Sequence, residues 1–304
     1  MPCGWPFVIA IAAALLVLRV RDVRCYFLAL TCLPVVSGLI WGNVVLLLTP
    51  FVALAWRWRD NALRAGSVIG VVIAAEPVLW PLMFWPIATR RYKTCGFGLL
   101  VALGALLLPW AVIDFDGLAS YPELLRAANE VYATHSDSIA TMASAIGADA
   151  WKSTFAAIAI GLVLGSGALL AGRAGRDEVA FAFAASAAIL GTPIVWEYSY
   201  SLILGPLAML QPVFGVSWAL LAVFVVAQRL PAPALDAKDL EPGGVACCPP
   251  EGIPLVSWYA NHAPPSLWPA LAYAVATALI LGTAARSHLR AVLALRRDYA
   301  RDAT

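Results

Sequence analysis

Apolar runs follow one another along this sequence with so little polar chain between them that most of it must sit in a membrane. They fall at about 5–19, 26–40, 43–56, 66–89, 97–113, 153–172, 179–195, 199–211, 215–228 and 267–285. A perpendicular span needs about 20 residues, and several of these runs are shorter. Such runs must be extended by their flanks, tilted, or broken part-way. Only 12% of the residues are charged, against about 25% in soluble domains. Mean hydropathy is +0.82, and no stretch is left over for a soluble domain of useful size. The expected fold is all-α: a polytopic transmembrane helical bundle of about nine to eleven membrane segments, broken helices included. It occupies residues 1–285 as a single domain, and residues 286–304 form a basic cytoplasmic tail. A net charge of +2 gives no reason to expect nucleic acid.

The arginines fix the expected orientation. Arg19, Arg21 and Arg24 form one group, and Arg57, Arg59 and Arg64 a second. Arg90, Arg91 and Lys93 form a third, Arg173 and Arg176 a fourth, and Arg286, Arg290, Arg296, Arg297 and Arg301 line the tail. Placing all of these on the cytoplasmic side puts 16 of the 20 basic residues inside, as the positive-inside rule asks. The N-terminus is then outside, and both 66–89 and 199–228 must cross an even number of times. Pro77, Pro81 and Pro86 supply helix breaks in the first of these, and Gly205-Pro206 and Gln211-Pro212 in the second. Outer loops are expected at 114–152 and 229–266. Met1-Pro2-Cys3-Gly4-Trp5 lacks the basic start of a signal peptide. The sequence reads either as an outside N-terminus or as a chain whose front has been lost.

The remaining polar features are few. The loop 229–266 is rich in Pro and Gly and reads as irregular, with Trp258, Tyr259, His262 and Trp268 suited to a lipid–water interface. The six cysteines form no metal pattern, and a disulfide from Cys3 to Cys247 or Cys248 is one outcome the outer placement allows. The segment 121–132 carries Leu124, Leu125, Ala128, Val131 and Tyr132 at helical spacing, with Glu123, Arg126, Asn129 and Glu130 opposite. It is expected to form a helix lying in the membrane surface.

Three features are candidates for chemistry, each with a plain structural alternative. Glu76, in Ala-Ala-Glu-Pro, is an ionisable group in an apolar run: a functional site by default, or a solvated carboxylate at a helix break. Thr192-Pro-Ile-Val-Trp-Glu-Tyr-Ser-Tyr200 places Glu197 among Trp196, Tyr198 and Tyr200. Acid among aromatic faces suits sugars, but an aromatic belt looks the same. Asp114 and Asp116 follow the run ending at Ile113, and alternate positions in an extended stretch would point them to opposite sides.

Gly42-Asn43 opening an apolar helix, the run Pro77-Val-Leu-Trp-Pro-Leu-Met-Phe-Trp85 and Ala88-Thr-Arg-Arg-Tyr92 carry a resemblance. So do Trp110 through Leu118, Tyr121-Pro-Glu-Leu-Leu125 and Thr192-Pro-Ile-Val-Trp196. From about residue 36 to 228 the chain resembles glycosyltransferase family 87. The resemblance implies a GT-C-like membrane enzyme of the plasma membrane with its site on the outer face. It implies transfer of a hexose, typically mannose, from a polyprenyl-phosphate donor to a lipid or glycan acceptor. The transfer would be inverting, with a carboxylate or histidine as base and with no nucleotide sugar, cofactor or metal.

Glu197, Asp114 and Asp116 are the candidate catalytic residues. Trp196, Tyr198, Tyr200, Asn43, Glu76 and Tyr121 are the candidate substrate-binding residues. The chain departs from the family pattern at three places. The N-terminal span and its acidic loop have no counterpart, Glu76-Pro77 stands where Lys-Pro is usual, and Tyr198 stands in place of a histidine. The alternative expectation is therefore a truncated, non-catalytic relative that binds a lipid-linked sugar or a partner. A flippase, resting on the broken helices and Glu76, is a third.

Overall fold

The computed structural model describes residues 4–132, 136–224 and 267–302, and among these residues every regular element is a helix. The expected loop 229–266, with Cys247, Cys248 and His262, lies outside the described residues, as does Cys3. Cys25, Cys32 and Cys95 are free thiols.

The chain begins with α1 (Trp5–Val17), which ends where Arg19 turns into the left-handed region at φ 61°. Helix α2 (Val23–Thr31) starts on Asp22, whose carboxylate accepts the Arg24 N–H. It meets α3 (Leu33–Trp41) at a 53° bend. Pro34 accounts for the bend, because it has no N–H to continue the ladder. Gly42, left-handed at φ 61°, closes α3, and the Asn43 side chain accepts the Val45 N–H to open α4 (Val45–Arg57).

Next come α5 (Ala62–Ala75), a tight 3-10 stretch (Pro77–Met83) and α6 (Phe84–Ala88). Helices α7 (Tyr92–Val112), α8 (Tyr121–Tyr132), α9 (Ile139–Ala145) and α10 (Ala150–Arg173) follow. Helix α11 (Asp177–Leu190) leads into a second 3-10 stretch (Glu197–Ile203) and α12 (Leu204–Leu210). Helix α13 (Val216–Ala219), extended by a short 3-10 turn, and α14 (Leu267–Asp302) complete the described chain. Helix α14 runs without interruption through the expected start of the tail at 286.

Among the described residues three helices are long and apolar enough to cross a membrane: α7, α10 and residues 270–290 of α14. The bent pair α2–α3 is a fourth if read as one span. The other apolar helices are shorter, so the expected nine to eleven segments are not reached on length. At about 1.5 Å per residue, the 14 residues of α5 reach only ~21 Å, less than a ~30 Å hydrocarbon core.

The break expected in 66–89 forms at Glu76-Pro77, and the one expected at Gln211-Pro212 forms after α12, but Gly205-Pro206 lies inside α12 and the break that matches Glu76-Pro77 falls earlier, at 191–196. Helix α5 has 14 residues, then comes a break at Glu76-Pro77, a seven-residue 3-10 stretch and α6. Helix α11 also has 14 residues, followed by a break at 191–196, a seven-residue 3-10 stretch and α12. In each case proline at the break removes a backbone donor and stops the α-helix.

Glycine sets the packing distances. A Cβ on Gly66 would lie 2.5 Å from the Thr94 carbonyl, and one on Gly70 would lie 2.6 Å from that of Gly98, so α5 and α7 touch backbone to backbone. Gly161 and Gly191 do the same for α10 and the end of α11. Small residues at such crossings are how apolar helices associate where lipid offers no hydrophobic drive.

All five arginine groups meet at one end. Arg19 and Arg57 share a cleft, Arg59 and Arg91 share the Asp177 carboxylate, and Arg90 and Arg173 share a second cleft. Arg24 lies over the Phe214 ring at 4.5 Å, and Phe214 leads into α13, which lines a third cleft with Arg286 and Arg290. Asp177 is the centre of this end. It accepts Arg91 at 2.8 and 2.9 Å and the Trp85 indole N–H at 2.6 Å, and Arg59 approaches to 3.8 Å. Its side chain is 22% exposed and that of Arg91 23%. Removing one member of such a half-buried pair leaves the other charge uncompensated. Asp177→Asn is expected to destabilise the fold by about 2 kcal/mol, the buried-pair cost discounted for partial exposure. A thermal unfolding scan in detergent checks this; an unchanged midpoint would show that the pair is not holding the two hairpins.

Candidate functional site

The end opposite the arginines holds the polar groups that the interior does not. Helix α11 stops at Gly191, so the carbonyls that follow have no helical partners. Residues 136–138 use them. The Ser138 hydroxyl donates to the Pro193 carbonyl at 2.7 Å, and the Asp137 N–H donates to that of Val195 at 2.6 Å. The Tyr200 hydroxyl donates to the Asp137 carbonyl at 2.7 Å. Ser136, Ser138 and Thr141 bond among themselves, and Ser138 caps α9 through the Thr141 N–H. A polar strap between α8 and α9 is thus stitched to the break after α11.

Two carboxylates meet at this junction. Glu197 is the first residue of the second 3-10 stretch, and its Oε1 accepts the Ser37 hydroxyl of α3 at 2.5 Å. The Asp137 carboxylate accepts the Glu197 backbone N–H. Burial, and then the nearby Glu197 charge, push Asp137 up to about 7, against the usual value near 3.8. Desolvation and a like charge both disfavour the second ionisation. Around neutral pH Asp137 is therefore poised to hold or release a proton.

Glu76 stands close by. It caps the end of α5 and borders a small cavity of about 20 Å³ with Thr192, Val195 and Ser199. The Tyr198 phenol lies in the field of both Glu76 and Glu197. The structure therefore gathers Glu76, Glu197, Tyr198 and Tyr200 from the sequence candidates. Trp196, half-buried, precedes Glu197 directly. Tyr200 is fully buried, stacked on Tyr273 at 4.7 Å, with its hydroxyl committed to the strap. Asn43 uses its side-chain oxygen on the α4 cap, beside Val45 of the small cavity.

Asp114 and Asp116 are placed differently from the extended stretch expected. They lie exposed on a series of tight turns after α7, with Asp114 and Phe115 left-handed at φ 53° and 59° and Gly117 at φ 77°. Neither joins the Asp137–Glu197 network. Tyr121 opens α8 and packs edge-on against Trp110 at 5.7 Å. Helix α8 runs over Tyr121–Tyr132 as its periodicity indicates. Among the described residues no cluster of His, Cys, Asp and Glu has the makings of a metal site.

Asp137 and Ser37 are functional candidates that the sequence did not single out. The signal was local: a carboxylate between two serines, in Ser136-Asp137-Ser138, inside an already polar segment. Only the contact with residues 193–200 gives it meaning.

A large apolar groove of about 710 Å³ reaches this region from the side. Its walls include Trp80 and Phe84, Leu103 and Leu107 of α7, Leu125 of α8 and Ile158 of α10, and it ends at Thr192 and Pro193. Thr192 and Val78 also line the small cavity with Glu76, so the groove and that cavity share a wall.

In comparisons with known proteins, the family described as Glycosyltransferase family 87 matches residues 4–196. The match begins well ahead of residue 36, where the sequence resemblance was expected to start, and it stops one residue before Glu197. No curated protein and no solved structure matches.

The raised Asp137 gives a signed pH prediction. The native state holds the Asp137 proton up to about pH 7, whereas the unfolded chain releases it near 3.8. Between those values the folded state binds more protons, so stability falls as pH rises through the window and levels off above it. Unfolding midpoints across pH 4–8 should show this fall in the wild type and a flatter profile in Asp137→Asn. Identical slopes would remove Asp137 as a raised carboxyl.

Proposed function

This chain belongs to glycosyltransferase family 87, and from that membership we propose that it is a membrane hexosyltransferase of GT-C-like architecture using a polyprenyl-phosphate donor. The sugar is a hexose of the mannose type, and the acceptor is a lipid or glycan. The observation that carries this reading is the carboxylate pair Asp137–Glu197 held on the same helix break, 191–196, whose Thr192 and Pro193 line an apolar groove. A polyprenyl chain is a long apolar ligand, and the 710 Å³ groove offers it an apolar wall leading to Thr192 and Pro193. A donor lying there has its phosphate and sugar near the end where Asp137, Glu197 and Glu76 gather. The shorter apolar helices and the two hairpins are read as the remaining membrane segments of a nine-to-eleven-segment bundle. The arginine end faces the cytoplasm, and the carboxylates face the outer side of the plasma membrane.

The chemistry needs one proton acceptor. The acceptor hydroxyl attacks the anomeric carbon, its O–H proton passes to a carboxylate, the new C–O bond forms, and the bond to the donor phosphate breaks with the polyprenyl phosphate leaving. Glu197 is the base in this reading. The Ser37 hydroxyl orients it, and Asp137 holds its backbone N–H. Trp196 and Tyr198 provide aromatic and hydroxyl contacts for the sugar. Tyr200 positions the strap that carries Asp137. Tyr121, which lines the groove, is left to contact the acceptor, while Asp114, Asp116 and Asn43 have no assigned part in this reading.

Glu76 favours a second reading. A carboxylate at the break after α5 would repel a donor phosphate, which suits a relative that binds a lipid-linked sugar or a partner without turnover. The two readings separate in one assay, using purified protein in nanodiscs and a labelled polyprenyl-phosphate hexose. The enzyme reading expects turnover in the wild type. It expects Glu197→Gln to lower kcat by about 10²–10⁴, the usual range for loss of a general base, with donor binding retained. Full activity in Glu197→Gln would exclude Glu197 as base. Donor binding without turnover in the wild type would establish the non-catalytic relative.

A further inference from the structure

At the arginine end, far from the carboxylates, two apolar helices finish beside one another. Tyr92 is the first residue of α7 and Arg173 the last of α10, and both helices are long and apolar enough to cross a membrane. Between them lies an open cleft of about 620 Å³ lined by Ile87, Ala88, Arg90, Tyr92, Leu169 and Arg173. We propose that this cleft is a binding site for the phosphate headgroup of an anionic membrane phospholipid, clamped by Arg90 and Arg173.

Several features of the cleft argue for a built site and not a generic basic surface. Arg90 and Arg91 are adjacent in sequence but serve different ends. Arg91 is neutralised by Asp177, whereas Arg90 sits in the left-handed region at φ 58° and lines the cleft. A non-glycine residue in that conformation carries a backbone cost, which the turn from α6 into α7 meets here by bonding the Arg90 N–H to Ile87 and the Arg91 N–H to Pro86. Gly172 brings the second arginine in. A Cβ there would lie 2.6 Å from that of Ala88, so α10 can reach α6 only with glycine at this place, and Arg173 follows it to the cleft. Among the described residues neither Arg90 nor Arg173 is in a salt bridge.

The cleft walls sort by depth. Ile87 and Leu169 give the cleft apolar walls that acyl chains could pack against. Tyr92 is 65% exposed at the span end, where tyrosine favours the lipid–water boundary. Two guanidiniums above apolar walls match an anionic phosphate carried on a diacyl chain. Basic pockets between membrane helices on the cytoplasmic side recognise such headgroups. Free phosphate would use only the arginines and leave the apolar walls without a role.

The test uses the full chain, delipidated in detergent, and native mass spectrometry with phosphatidylglycerol, phosphatidylcholine or inorganic phosphate added. The wild type is expected to retain phosphatidylglycerol in preference to phosphatidylcholine. Arg90→Gln/Arg173→Gln should weaken that retention about 30-fold, taking roughly fivefold for each arginine near the surface. The control Arg21→Gln/Arg64→Gln, at the same end but outside the cleft, should leave it unchanged. Both double variants alter exposed side chains, and a matching thermal midpoint verifies their folding. Equal retention in the cleft variant, equal loss in the control, or displacement of the lipid by millimolar inorganic phosphate would each overturn the proposal.

Discussion

A single carboxylate, Asp177, fixes how the two hairpins of this protein stand against each other. It opens α11, takes both guanidinium nitrogens of Arg91 and the indole N–H of Trp85, and draws Arg59 to 3.8 Å. Those residues come from the end of α4, from α6 and from the turn before α7. Trp56, Trp85 and Phe181 pack around the cluster, with Trp85 and Phe181 edge to face at 5.0 Å. Around this anchor the helices close on glycine, with Gly66 and Gly70 against α7 and Gly161 against Gly191. Apolar contact alone would allow these helices to slide; a charge with three donors does not.

With the arginine end fixed, the opposite end inherits its geometry. The two hairpins break at Glu76-Pro77 and at 191–196, and both breaks leave backbone carbonyls without helical partners. At the second break those carbonyls are taken up by Ser138 and the Asp137 N–H, which brings a carboxylate to Glu197. The cost of an unpaired buried polar group thus has a constructive result: satisfying the backbone is what assembles the carboxylate pair. The apolar groove meets the same break, since Thr192 and Pro193 form its end. One discontinuity in one helix thus borders both an apolar groove and the Asp137–Glu197 contact.

The two ends divide the labour by charge. Arginines converge where α7 and α10 begin and end, and carboxylates converge where the hairpins break. At the arginine end the Asp177 carboxylate is matched by guanidinium groups, whereas at the breaks Asp137 and Glu197 meet each other.

The sequence by itself determined the class of molecule. Its apolar runs and sparse charge require helices in a membrane, its prolines locate the helix breaks, and its arginine groups mark one end. These are local properties: hydropathy, a missing N–H and charge spacing act over a few residues and can be read in order. The helix at 121–132 and the separate candidacies of Glu76, Glu197 and Tyr198 were legible for the same reason, but not that the three lie together. What only the tertiary structure decided was pairing across long separations. Asp137 meets Glu197, Ser37 reaches Glu197 across 160 positions, and Asp177 reaches back to Trp85. Asp114 and Asp116, locally conspicuous, lie exposed on the turns after α7, where Asp114, Phe115 and Gly117 are left-handed. No periodicity encodes such meetings. They depend on which glycines let which helices touch, and on where a broken helix leaves its carbonyls to be bonded.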